Sequence, residues 1–129
     1  MGQGGAAGPV VFDREDLLER LMGDEELASD IMNLTLENVP TQLAELKDAI
    51  KQGDLDSIRS LSHNLKGGAG NVGAKAMQAV AFDMEQAGKA DDIARAEALM
   101  PKLEETFNLL RDELQRQGLI ESVEVERNV

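Results

Sequence analysis

The chain has 129 residues and a formal net charge of −12, with 13 Lys and Arg against 25 Asp and Glu, three Phe, no Trp or Tyr, and no cysteine. That length suits one domain around one core, and the acidity excludes nucleic-acid backbones, whose binding rests on clustered cations. A single histidine without cysteine leaves no disulfide framework and no dedicated transition-metal site, and no apolar run approaches the roughly 20 residues of a membrane span, so a cytoplasmic location is expected.

Residues 1–11, rich in Gly and Ala, read as a flexible linker. Asp13 caps a short helix to about Met22, with Leu17, Leu18 and Leu21 inward. After Gly23-Asp24 a long helix spans about Glu25 to Gln52. Its apolar positions are Leu27, Ile31 and Leu34, then Leu43, Leu46 and Ile50, with a slip of phase at Val39-Pro40, where proline predicts a bend. Gly53 ends this helix and Asp54 caps the third. The fourth begins near Gly73-Ala74, turns Met77, Val80, Ala81, Met84 and Ala87 inward, and stops at Gly88. The fifth runs from about Asp91 to Gln117 on a stripe of Ile93, Ala96, Met100, Leu103, Phe107, Leu110 and Leu114, and Gly118 ends it. The fold class is all-α. Short turns between the longer helices predict an antiparallel four-helix bundle over residues 12–118 with an additional short N-terminal helix, and a flexible tail over 119–129.

The lone histidine, His63, lies on the third helix. At about 100° per residue, Ile58, Leu61, Leu65, Ala69 and Val72 form the buried stripe. His63 points the opposite way, with Arg59, Lys66, Gly67 and Gly70 beside it. Glycine inside a helix costs about 1 kcal/mol relative to Ala, so the glycines need a reason. Gly67 and Gly70 fall within about 40° of His63 on the helical wheel, where a side chain would obstruct a partner docking over the imidazole. Gly68 points towards the packed side, where close helix contact is the expected reason.

The run His63-Asn64-Leu65-Lys66-Gly67, continued by Gly68-Ala69-Gly70-Asn71-Val72-Gly73-Ala74, resembles the His-x-Leu-Lys-Gly signature of histidine-containing phosphotransfer (HPt) domains of multistep two-component phosphorelays. The segments Leu43-Ala44-Glu45-Leu46 through Gly53-Asp54 and Phe82-Asp83-Met84-Glu85 also fall where that family carries comparable ones, so the resemblance covers about Phe12 to Gly118. It implies a phosphocarrier that accepts a phosphoryl group on His63 from the aspartyl phosphate of a response-regulator receiver domain and passes it to another receiver. It also implies no kinase activity and no cofactor of the chain's own, Mg2+ being supplied by the receiver, with an attached or separate hybrid histidine kinase upstream. Many members place Gln or Glu where it can hold the second imidazole nitrogen, and here that position is Glu85.

Such chemistry needs in-line approach and charge neutralisation more than acid–base groups. Lys66, one turn after His63, can set its ammonium beside the imidazole or its phosphate. Arg59, one turn before, adds to the same positive field. Two other readings compete. A helical adaptor that binds receivers without carrying phosphate would not need both His63 and Lys66. The phosphoacceptor domain of a histidine kinase usually has an acidic residue after its histidine and a proline soon after, whereas this chain has Asn64 and no proline between there and Pro101.

Overall fold

The computed structural model of the chain describes residues 9–120. Five helices follow one another: α1 (Arg14–Arg20), α2 (Glu25–Gln52), α3 (Leu55–Asn71), α4 (Lys75–Lys89) and α5 (Ile93–Arg116). Each of α2 to α5 packs on the next, and α5 returns to α2, closing a ring. The turns Gly53-Asp54, Val72-Gly73-Ala74 and Ala90-Asp91-Asp92 are too short for any but antiparallel neighbours. The architecture is the expected antiparallel bundle with α1 set against α2, and there is no strand among the described residues.

Four helices start on an aspartate. Asp13, Asp24, Asp54 and Asp92 each accept a hydrogen bond from the backbone N–H three residues on, satisfying a donor that the first turn leaves unpaired. Helix α4 starts on Ala74, which has no side chain able to cap. Its Ala76 N–H donates instead to the Val10 carbonyl at 2.8 Å, while the Asp13 N–H donates to the Gly73 carbonyl at 2.8 Å. The chain from Val10 to Asp13 therefore lies across the α3–α4 turn. Gly73 has φ +79°, and a Cβ there would sit 2.6 Å from the Asp13 carbonyl oxygen, so only glycine fits.

Packed chain extends beyond both expected edges of the domain. Val10 caps α4 and Val11 packs against the core. At the other end Leu119 and Ile120, expected in the tail, are buried, and the Ser29 hydroxyl donates to the Leu119 carbonyl at 2.6 Å. The rest of the expected linker (1–8) and tail (121–129) lies outside the described residues.

The core is aliphatic, as the scarcity of aromatics requires. Leu46, Ile58, Met77, Met84, Leu103, Leu110 and Leu114 are all fully buried, and Met100 lies with them. The N-terminal half of α2 departs from expectation. Leu27 and Leu34 are exposed and Ile31 only half-buried, whereas Ala28, Met32 and Val39 face inward. The true stripe, Ala28, Met32, Val39, Leu43, Leu46 and Ile50, keeps one helical phase throughout. A stripe through Leu27, Ile31 and Leu34 lies one residue, about 100°, from this one, which accounts for the expected phase slip. Pro40 sits on the exposed side of a helix that continues through it.

Helix α4 likewise does not stop at Gly88 but runs to Lys89. Gly88 is a packing residue. A Cβ on it would lie 2.9 Å from the Arg59 Cγ and 3.1 Å from the Ile58 Cγ2.

Candidate functional site

The site lies where α3 and α4 run side by side. His63 is at the middle of α3, its side chain 64% exposed. Ile58, Leu65 and Ala69 on the same helix are buried, with Leu61 half-buried and Val72 buried at the helix end. Ser62 is also wholly buried, which hydropathy alone does not indicate.

Glu85 on α4 organises the arrangement. Its side chain is 6% exposed, and its two oxygens meet three nitrogen-bearing side chains. Lys66 Nζ donates to Oε1 at 2.8 Å. His63 Nδ1 lies 3.1 Å from Oε2, and Lys89 Nζ lies 3.7 Å from the same oxygen. The hydrogen bond from Lys66 outweighs burial and, with the His63 bond and the charges of Lys66 and Lys89, holds the Glu85 carboxyl below its ordinary value. Glu85 is therefore a carboxylate near neutrality and can only accept. In the neutral ring the proton then resides on Nδ1, the nitrogen facing the carboxylate, and Nε2 carries the lone pair. Glu85 is the ring's hydrogen-bond partner among the described residues, which leaves Nε2 free on the exposed side.

Lys66 also lies over the Phe82 ring, 5.7 Å from its centroid, and Phe82 is largely exposed. The ammonium thus rests between a carboxylate and an aromatic face, one turn from His63. The structure brings Glu85 to the imidazole, as the family resemblance implies, and bonds the Lys66 ammonium to Glu85. Gly67 meets nothing within 4 Å of where a Cβ would stand, so the face beside the imidazole is open.

Three other placements differ from expectation. Gly68, expected against a packed neighbour, is exposed, and a Cβ there would meet nothing within 4 Å; it lines an open cleft with Thr35, Asn38 and Gln42 of α2. Gly70 is not an open floor. The Gln78 amide of α4 lies across it, with Nε2 2.5 Å from where a Cβ would stand. Arg59 is held by partners other than the imidazole. It pairs with Asp56, and its Nη1 donates to the Gly88 carbonyl at 3.4 Å, so much of its charge is spent locally.

Lys89 is the residue that sequence reasoning missed. It lies four residues after Glu85, a spacing that pairs charges on a helix, but ending α4 at Gly88 removed it from view.

The chain has recognisable relatives among known proteins. The Hpt domain family model matches residues 30–117. The phosphorelay intermediate protein rdeA of Dictyostelium discoideum is 29% identical over 105 residues, a match covering 78% of this chain and 41% of that protein. The chain thus spans well under half the length of that relative. The crystal structure of histidine-containing phosphotransfer protein B (HptB) from Pseudomonas aeruginosa PAO1 superposes with a TM-score of 0.70 at 27% identity, covering 83% of this chain and 93% of that one.

Proposed function

This chain belongs to the Hpt domain family, and from that premise we propose that it is a phosphocarrier in a His–Asp phosphorelay with Nε2 of His63 as the acceptor atom. The observation that carries the reading is the exposed imidazole whose Nδ1 is held by the buried Glu85 carboxylate.

The chemistry follows from that pairing. The Nε2 lone pair attacks phosphorus of an aspartyl phosphate on a receiver domain, the phosphorus–oxygen bond breaks, and its electron pair leaves on the receiver's carboxylate. The ring gains positive charge as the new bond forms. Glu85, hydrogen-bonded to Nδ1, stabilises that charge and holds the tautomer in which Nε2 is the nucleophile, the part an aspartate plays in a hydrolase triad. Lys66 faces the charge on the transferred oxygens. The reverse reaction, onto the aspartate of a second receiver, uses the same contacts.

Mg2+ and the acceptor geometry belong to the receiver in this reading, and the chain supplies no kinase activity or cofactor of its own. Open space at Gly67 allows the receiver to approach over the imidazole. Among the described residues no helix is long and apolar enough to cross a membrane. Partners are response-regulator receivers, with a hybrid histidine kinase as the ultimate source of phosphate. The experiment is a two-step transfer. The chain is expected to gain one phosphoryl group from a phosphorylated receiver and to lose it to a second. A chain that binds receivers but never gains the group would favour the adaptor reading.

A further inference from the structure

The Glu85 carboxylate holds more cation than an unphosphorylated site requires. Lys66 makes a full hydrogen bond to Oε1, yet Lys89, 56% exposed, also stands 3.7 Å from Oε2. That is an ion-pair distance but longer than a hydrogen bond. Lys89 is therefore neighbour to the carboxylate without being its bonded partner.

A phosphoryl group on Nε2 brings close to two negative charges, and Lys66, one turn from His63, is the ammonium placed to meet them. To do so it must leave Glu85. The carboxylate, 6% exposed, would then keep one hydrogen bond, to His63 Nδ1, and the longer Lys89 ion pair, and lose its strongest partner. A buried charge that loses its partner is strongly unfavourable. Lys89, four residues along the same helix, needs only a small movement to close on it.

We propose that Lys89 is a positioning residue which replaces Lys66 on Glu85 when Lys66 turns to the phosphohistidine. The inference rests on His63 being the phosphoacceptor. Lys89 then acts through Glu85 and Lys66, not by touching the phosphoryl group. Its contribution depends on both, and an arginine in its place would serve as well.

The test is the equilibrium ratio of phosphorylated chain to phosphorylated receiver, measured on the full chain. Lys89→Gln should shift that ratio towards the receiver by about tenfold, the size of one charge-assisted hydrogen bond. Lys89→Arg should restore it. In a Lys66→Ala background, and separately in a Glu85→Gln background, Lys89→Gln should change the ratio little, because no exchange remains to support. Additive effects in both backgrounds would show Lys89 acting on the phosphoryl group directly and overturn the proposal. So would a wild-type ratio in Lys89→Gln alone. A wild-type chain that gains no phosphoryl group would instead sink the functional reading beneath it.

Discussion

Gly88 of α4 lies directly on Ile58 of α3, so close that a methyl carbon there would stand 3.1 Å from the Ile58 Cγ2 and 3.3 Å from the Arg59 backbone nitrogen. This contact sets how near α4 can bring Glu85 to His63, since Glu85 sits one turn before Gly88 on the same helix.

Gly88→Ala is expected to destabilise the fold by about 1–3 kcal/mol through overpacking, although the helix propensity of alanine alone would favour it by about 1 kcal/mol. Thermal unfolding checks the sign. A raised melting temperature would mean that α4 moves aside without loss.

Gly67 gives the opposite expectation. Its surroundings are open, so Gly67→Ala should stabilise by up to about 1 kcal/mol. Gly67→Gln should keep the fold yet slow transfer from a receiver on the order of a hundredfold, since a displacement of about 1 Å at the reacting atoms has that effect. An unchanged single-turnover rate would place the docking surface elsewhere.

The contrast between these glycines shows what was legible in the sequence. The aspartate caps at Asp13 and Asp54, the stripe of α5, and the phase of α3 follow from short-range rules, and the bundle follows from them. The place of Glu85 beside His63 follows from the family resemblance. Contacts between elements were not legible. Gly88 and Gly53 are both glycines near a helix end, but one ends a helix at φ +70° and the other is buried inside one. In α2 a hydropathy reading favours Leu27 and Leu34, whereas close approach between helices buries the smaller Ala28. Lys89 was hidden by the first of these confusions.

Ser62 is wholly buried, and its hydroxyl has no hydrogen-bond partner among the described residues. Ser62→Ala removes an unsatisfied polar group and should raise stability by about 1 kcal/mol. Denaturant titration measures it. A loss of stability would show that the hydroxyl bonds an internal water.

Glu85 gives a pH signature. Its carboxyl is held below the ordinary value of 4.5, chiefly by the Lys66 hydrogen bond. A depressed carboxyl contributes stability that is complete above its unfolded value and is lost as pH falls towards the folded one. The stability difference between wild type and Glu85→Gln should therefore be constant above about pH 4.5 and narrow below it. A gap that widens on acidification would mean that the carboxyl is raised instead. Glu85→Gln should also relax the preference for the Nδ1–H tautomer, visible in the 15N shifts of His63.

The central claim is that one atom, Nε2 of His63, carries the phosphoryl group. The direct measurement is the location of phosphorus in the chain after transfer from a phosphorylated receiver, by 31P–15N correlation on wild type and by acid-labile, base-stable label on His63→Gln. The expected result is phosphorus on Nε2 with the Nδ1 proton retained, and no label on a normally folded His63→Gln. Phosphorus on Nδ1, or label persisting on His63→Gln, would contradict it.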